Sequence, residues 1–422
     1  MAESKQKSGH TKAEIMSPVG SFESLAAAIN AGCGSVYFGV EQLNMRARSS
    51  YNFSIDEIGE VTKRAKAANV RTYVTMNTLL YEHDMALMKK ILDEAKKVGV
   101  DAVIIADVAA MQYAREIGLP VHASTQLSIS NYDSVRFYAN FADTVVLARE
   151  VDLNMIKTIC DSIKRDNLKG PGGELVKVEI FVHGALCVAQ SGRCQMSLIS
   201  NNTSAQRGAC LQECRKKYRI IDEESGTELI VDNQYVLSPK DLCTVEFLDK
   251  IVDAGVSVFK IEGRGKTADY VDVVTRVYKE AVDAIADGTY GKDKIEDWMK
   301  RLGTVYNRGF SDGYYLGKPL ADWSGHAGNR ATDERVFVGI AKHYFPQAGI
   351  AEIALQAHPV KIGDRLMVMG GTTGMVQGEV TSLMIDEQMV ENAQHPAIVT
   401  LPFSEKIRPN DKVFLLKERV QV

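Results

Sequence analysis

No stretch of this 422-residue chain approaches the ~20 consecutive apolar residues that a membrane span requires. Nor is there an excess of charge: 50 Lys and Arg face 54 Asp and Glu, a net charge of -4. Such a balance gives no global field for nucleic acid and confines any such site to a local basic patch. The H-E-x-x-H of zinc peptidases and the G-x-S-x-G of α/β hydrolases are both missing. No G-x-G-x-x-G follows the first apolar run, which argues against a dinucleotide-binding open sheet. The G-P-G-G at Gly170 lacks the Lys and Ser/Thr of a Walker loop and reads as a plain turn. Residues 1–13 are polar and lysine-rich without the apolar run of a signal peptide, so a flexible tail on a cytoplasmic protein is expected. Thiols stay reduced in that compartment, where clustered cysteines are more often metal ligands or redox groups than disulfides.

What is present is a regular alternation. Short β-branched runs at 15–17, 35–39, 71–77, 102–107, 120–125, 144–148, 178–184 and 258–262 are separated by amphipathic helical patterns. Several are continuously apolar, as strands buried on both faces are. Ser21 is placed to cap a first helix, and Ser54 with Glu57 forms an S-x-x-E capping box for the next. Eight β/α units predict an α/β fold of the TIM type, a (β/α)8 barrel over residues 14–325. After Gly325–Arg330, read as a linker, residues 334–422 change to short strands between turn signals, predicting a small antiparallel β-barrel. The stretch Tyr306 to Pro319, rich in glycine and aromatics, suits a packed loop over the barrel mouth, with base stacking as the alternative.

A barrel places its chemistry at the C-terminal ends of its strands. Those ends carry Ser17, Gly39, Asn77, Asp107, Ser124 with Gln126, Arg149 with Glu150, His183, and Lys260, Glu262 and Arg264. The loop over residues 185–219, after the seventh run, holds Cys187, Cys194, Cys210 and Cys214, spaced C-x6-C-x15-C-x3-C. Three chemistries compete for it. Irregular loop spacing suits four thiolates around a 4Fe–4S cluster. A zinc site would more typically show C-x2-C or C-x4-C knuckles. A cysteine nucleophile would pair Cys187 with His183 but leaves three nearby thiols unexplained. Cys33 and Cys160 read as buried small hydrophobes, and Cys243 is the one substitute ligand. Arg193, Arg207, Arg215, Lys216, Lys217 and Arg219 form a basic collar on the same loop, suited to RNA phosphates or to nothing more than solvation.

At H-G-A-L-C-V-A-Q-S-G-R-C, R-G-A-C-L-Q-E-C-R-K-K-Y, S-P-K-D-L, K-I-E-G-R and M-S-P-V-G, the chain resembles the collagenase-like peptidase family U32 over nearly its whole length. Within that family the likeness is greatest to the branch of tRNA hydroxylation proteins. The resemblance implies an enzyme that makes 5-hydroxyuridine at the wobble position of tRNA, with prephenate as a possible co-substrate and an electron donor as a further partner. It also implies a 4Fe–4S cluster on Cys187, Cys194, Cys210 and Cys214. On this reading Arg149, Lys260 and Arg264 hold anionic groups, and Glu262 or His183 moves protons. Asn77, Ser124 and Gln126, with Arg193, Arg207, Arg215, Lys216 and Lys217, would contact substrate. The rivals are a collagenase-like peptidase and a non-catalytic RNA-binding protein whose cluster only orders the loop.

Overall fold

The computed structural model describes residues 13–228, 237–317, 323–324 and 328–419. All but Ala13 of the expected tail, part of the expected linker, and Lys318 and Pro319 lie outside them. Strands β1 (Glu14–Pro18), β2 (Ser35–Gly39), β3 (Arg71–Met76), β4 (Ala102–Ile105), β5 (Val121–Ala123), β6 (Thr144–Val146) and β7 (Lys177–Ala185) pair side by side, all parallel. Strand β8 (Asp241–Cys243) is an addition at the barrel top. β9 (Val258–Ile261) pairs in parallel with both β7 and β1, which closes an eight-stranded ring. Each expected run coincides with one of these strands to within a few residues. Every residue of β2 and of β9 is buried, because the barrel interior covers one face and helices the other.

The outer ring is formed by α1 (Phe22–Asn30), α2 (Ile58–Ala67), α3 (Met85–Val98), α4 (Val108–Glu116), α5 (Tyr132–Tyr138) and α6 (Leu153–Arg165). A short α7 (Met196–Asn201) lies in the cysteine loop, and α8 (Leu248–Asp253), α9 (Ala268–Ala286) and α10 (Lys292–Thr304) follow it. Ser21 caps α1, its hydroxyl accepting from the Ser24 amide at 3.2 Å. The Ser54–Glu57 box forms as expected but opens a single 3-10 turn that leads into α2. None of the described helices is long and apolar enough to cross a membrane.

β8 runs antiparallel to the end of β7, with His183 opposite Cys243 and Ala185 opposite Asp241. Its other edge takes β10 (Phe310–Ser311) from the glycine- and aromatic-rich stretch. Tyr315 from the same stretch is buried, its hydroxyl donating to the Phe181 carbonyl at 2.6 Å. The packed-loop reading therefore holds for its described part.

The C-terminal part is antiparallel. It comprises β11 (Asp333–Phe345), β12 (Ile350–Leu355), β13 (Val360–Lys361), β14 (Arg365–Gly370), β15 (Gly374–Glu379), β16 (Met384–Ile385), β17 (Gln388–Met389), β18 (Asn392–Ala393), β19 (Ala397–Pro402) and β20 (Lys412–Glu418). Eight of these form one sheet in the order β15-β14-β20-β11-β12-β19-β16-β17, and β13 pairs with β18. Alternate residues of β12 are buried, the period-2 pattern of a strand with one face on a core. This sheet encloses its own hydrophobic cluster, separate from that of the barrel. It meets the barrel at α1 and α2, where Asn30 donates to the Thr373 carbonyl at 3.1 Å and Arg64 to the Gly371 carbonyl at 2.9 Å. Gly374, at φ +74°, lets the backbones approach closely; a Cβ there would sit 2.8 Å from the Ala27 nitrogen.

Candidate active site at the barrel mouth

The C-terminal ends of the barrel strands and the loop between β7 and β8 enclose a cavity of about 190 Å³. All four loop cysteines line it. Each is a free thiol; Cys187 is exposed and Cys194, Cys210 and Cys214 are half-buried. Burial pushes the Cys214 thiol up, Arg215 opposes this, and Cys187, Cys210 and Cys194 are close enough to raise it further.

The polypeptide itself holds this loop in place. Arg215 donates to the Leu186 carbonyl at 2.7 Å, to the Pro239 carbonyl at 2.7 Å and to the Ser238 hydroxyl at 2.9 Å. It thereby ties the residue after Cys214 to the residue before Cys187. Arg207 donates to the Leu79 carbonyl at 2.6 Å, pairs with Asp84 and lies over the Tyr81 ring. Lys216 pairs with Glu213, and Arg219 with Glu228. Gln126 donates to Ser191 at 2.9 Å, where Gly192, at φ +78°, leaves room for the amide. Arg207, Arg215, Lys216 and Arg219 of the expected collar are thus engaged within the chain. Sequence spacing shows a cluster of cations but not the carboxylates and carbonyls that other loops bring to them.

The positive charge facing the cavity comes from Arg215 of the collar and from Arg46, Arg149, Lys260, Arg264, Lys266 and Arg308. Three carboxylates answer these seven cations: Glu262 in the lining, Glu179 behind Lys260 and Asp241 behind Arg308. Burial pushes the Glu262 carboxyl up, but the charges of Arg46 and Arg149, with a hydrogen bond from Arg46 at 2.9 Å, bring it below the ordinary carboxylate range. Arg264 is buried, which lowers its guanidinium to about 10, and it donates to Thr75 at 2.8 Å and Asn44 at 3.0 Å. Arg149 donates to the Ala185 carbonyl at 2.6 Å and lies 4.0 Å from the centre of the Phe181 ring, while its buried Nε has no hydrogen-bond partner among the described residues. Lys266, lowered by burial to about 8, sits on the face of Tyr306.

Of the expected site residues, Asn77, Ser124, Gln126, Arg149, Arg215, Lys260, Glu262 and Arg264 line this cavity together with the four cysteines. Asn77 accepts from the Met45 amide at 3.1 Å and so braces the β2–α2 loop. His183 is not in the lining. It is buried among Tyr270, Tyr278 and Phe310, with Nδ1 3.4 Å from the Tyr278 hydroxyl, and burial drives its pKa down to about 3. Asp107 caps α4, accepting from the Ala109 amide at 2.9 Å. Cys33, Cys160 and Cys243 are buried, and burial raises each to about 12. Sequence reasoning missed Arg46, Lys266 and Arg308, which stand in loops without a strand-end signal. It also missed Glu179, although a carboxylate inside the apolar run V-E-I-F-V was a sign of a buried partner.

Four thiols on one cavity could serve as donors to a metal group. Among the described residues no three His, Cys, Asp or Glu side chains already converge as a single ion would require. A 4Fe–4S cluster asks for something different, because each thiolate binds its own iron at a separate corner. Four cysteines spread around one cationic cavity fit that requirement better than a zinc site.

The sequence profile of peptidase family U32 matches residues 20–325. Over 406 residues the chain is 48% identical to a protein named collagenase from Porphyromonas gingivalis, covering 96% of this chain and 98% of that one. It is 28% identical over 412 residues to tRNA hydroxylation protein P1 of Bacillus subtilis, covering 95% and 94%. It is 32% identical over 411 residues to a 23S rRNA 5-hydroxycytidine synthase of Escherichia coli, covering 94% of this chain and 58% of that one. Of these three the collagenase-named protein has the highest identity, and the two others are named for RNA hydroxylation.

Proposed function

Since the chain belongs to peptidase family U32, whose members carry both hydrolase and RNA-hydroxylation names, we propose that it is an RNA-hydroxylating enzyme. Its substrate on this reading is tRNA, and its product 5-hydroxyuridine at the wobble position. The observation that carries the proposal is the set of four free thiols on a cavity with more cations than carboxylates. Cys187, Cys194, Cys210 and Cys214 would hold a 4Fe–4S cluster, which supplies single-electron transfer when bound. Four thiolates around a cationic cluster take up only part of the positive surplus, which leaves room for an anionic co-substrate such as prephenate. Arg149 and Arg264 hold its anionic groups together with Lys260. Glu262, ionised beside Arg46, accepts a proton. An electron donor completes the partners.

A peptidase reading is favoured by the name of the more identical relative. Against it stands His183, the base nearest Cys187 in sequence, which lies among aromatic rings and outside the cavity lining. The deciding measurement is the nucleoside profile of tRNA from a strain lacking this protein. Loss of 5-hydroxyuridine derivatives supports the proposal, and an unchanged profile refutes it. Cleavage of collagen by the iron-free protein, abolished by Cys187→Ala, would establish the peptidase instead.

A further inference from the structure

Beneath the cavity floor the barrel axis carries ionisable side chains where layers of Val, Ile and Leu usually sit. Lys260 of β9 lines the cavity, and its Nζ donates to Glu179 Oε1 at 2.6 Å. Glu179 of β7 is fully buried, and its other oxygen lies 3.0 Å from Nδ1 of His122 on β5. An ionised carboxylate only accepts, so that ring nitrogen carries the proton. The His122 ring rests against Tyr73 of β3, with centroids 4.5 Å apart. The ammonium of Lys260 also lies 4.5 Å from the centre of the Tyr37 ring and 5.5 Å from that of Phe181.

Stability does not explain this arrangement. Two charges removed from water often regain no more by pairing than a well-packed apolar pair of the same volume would give. Both oxygens of Glu179 are engaged and neither lines the cavity, so Glu179 is not placed to touch a ligand. What the line does fix is the position and charge of one amine.

We propose that Glu179 and His122 are positioning residues that keep Lys260 as an ammonium aimed into the cavity, where it seats one oxyanion, a carboxylate or its equivalent, of the bound small molecule. This deepens the anion-holding role given above to Lys260 and rests on it, but not on the identity of the RNA or of the metal group. Around Lys260 stand Glu179 from β7, the rings of Tyr37 from β2 and Phe181 from β7, and the charges of Arg149 after β6 and Arg264 after β9; His122 from β5 and Tyr73 from β3 lie behind Glu179, and Glu262 after β9 lines the same cavity. Burial pulls the Lys260 ammonium below its ordinary range, and Arg264 and Arg149 act in the same direction; the charge and hydrogen bond of Glu179 oppose them. Glu179 in turn would be raised by burial, but Lys260 and His122 hold it down to about 2. With Glu179 neutral, burial and the charges of Arg264 and Arg149 would act on Lys260 without the carboxylate that hydrogen-bonds it.

The test is sulfate binding to the full chain, followed by calorimetry from about pH 6 to about pH 10, a range in which sulfate keeps its charge and lysines titrate. The native protein is expected to bind past neutrality and to lose affinity only in the alkaline range. Glu179→Gln should bind on the order of tenfold more weakly at about pH 8, its alkaline fall moved toward acid by at least about one pH unit. Lys260→Met should be weak at every pH. Lys260→Arg placed in the Glu179→Gln background should restore binding, because a guanidinium stays protonated without help. A merely structural Glu179 would show no such rescue. A Glu179→Gln protein with the native pH curve, or sulfate binding indifferent to Lys260, overturns the proposal. Should Glu179→Gln fail to fold, nitrogen-15 NMR of the native lysine amines decides instead: a Lys260 amine already neutral at about pH 7 is fatal to it. The tRNA nucleoside profile enters none of these readings, so the two proposals fail separately.

Discussion

Replacing Arg46 by Met tests whether Glu262 is held ionised by its neighbour. The guanidinium lies 2.9 Å from Glu262 Oε1, and the residue is only 9% exposed. Unit charges about 4 Å apart interact by about 4 kcal/mol at an effective dielectric of about 20. Measured neighbours of this kind move a carboxyl by about one to three pH units, or roughly 1.4 to 4 kcal/mol. In the native protein the folded Glu262 titrates below its unfolded value. Its stabilising contribution is therefore present above about pH 4.3 and is lost as the pH falls through the lower folded value. Without Arg46 only the charges of Arg149 and Lys266 are left to oppose burial, so the folded carboxyl titrates higher than in the native protein and its stabilising contribution near neutrality shrinks. The assay is thermal melting of both proteins between about pH 4 and about pH 7. The variant should melt lower at neutral pH, and the gap should narrow steadily toward acid. A gap that does not change with pH would refute the reasoning, since it would mean that Arg46 contributes packing and not charge.

Anaerobically purified protein should be brown with about four irons per chain; Cys194→Ala should be colourless, while Cys243→Ala keeps its iron because that thiol is buried in β8. Arg215→Ala removes three hydrogen bonds from a charged donor, each contributing about 1.5 to 3 kcal/mol, and should speed amide exchange around Cys187 and Cys214 and the loss of iron to a chelator. Gly374→Val places a branched side chain at φ +74° against the backbone of α1 and should lower stability by about 1 to 3 kcal/mol, read from the denaturant midpoint.

The barrel was legible because its strands announce themselves twice, by continuous apolar runs and by polar residues where the runs stop. Asn77, Arg149 and Glu262 stand at such stops and do line the cavity. His183 stands at one too, yet β8 and β10 cover the end of β7 and enclose its ring. A strand-end rule cannot register a cover contributed by residues more than fifty positions later. The partners of the collar were hidden for a related reason. Arg207 is answered by Asp84 and Arg215 by the Leu186 carbonyl, partners that only the folded chain brings near. Arg46 and Lys266 went unnoticed because single cations in loops look like ordinary surface charge until burial is known.

The antiparallel stem of β7 and β8 has a consequence for how this protein can vary. Ala185 and Asp241 stand opposite each other, so the segment carrying the thiols departs and returns through a single doorway. Chain can be added to or trimmed from such an excursion without shifting any stave of the cask beneath it. The stem therefore marks where to cut when grafting the segment from one relative onto another.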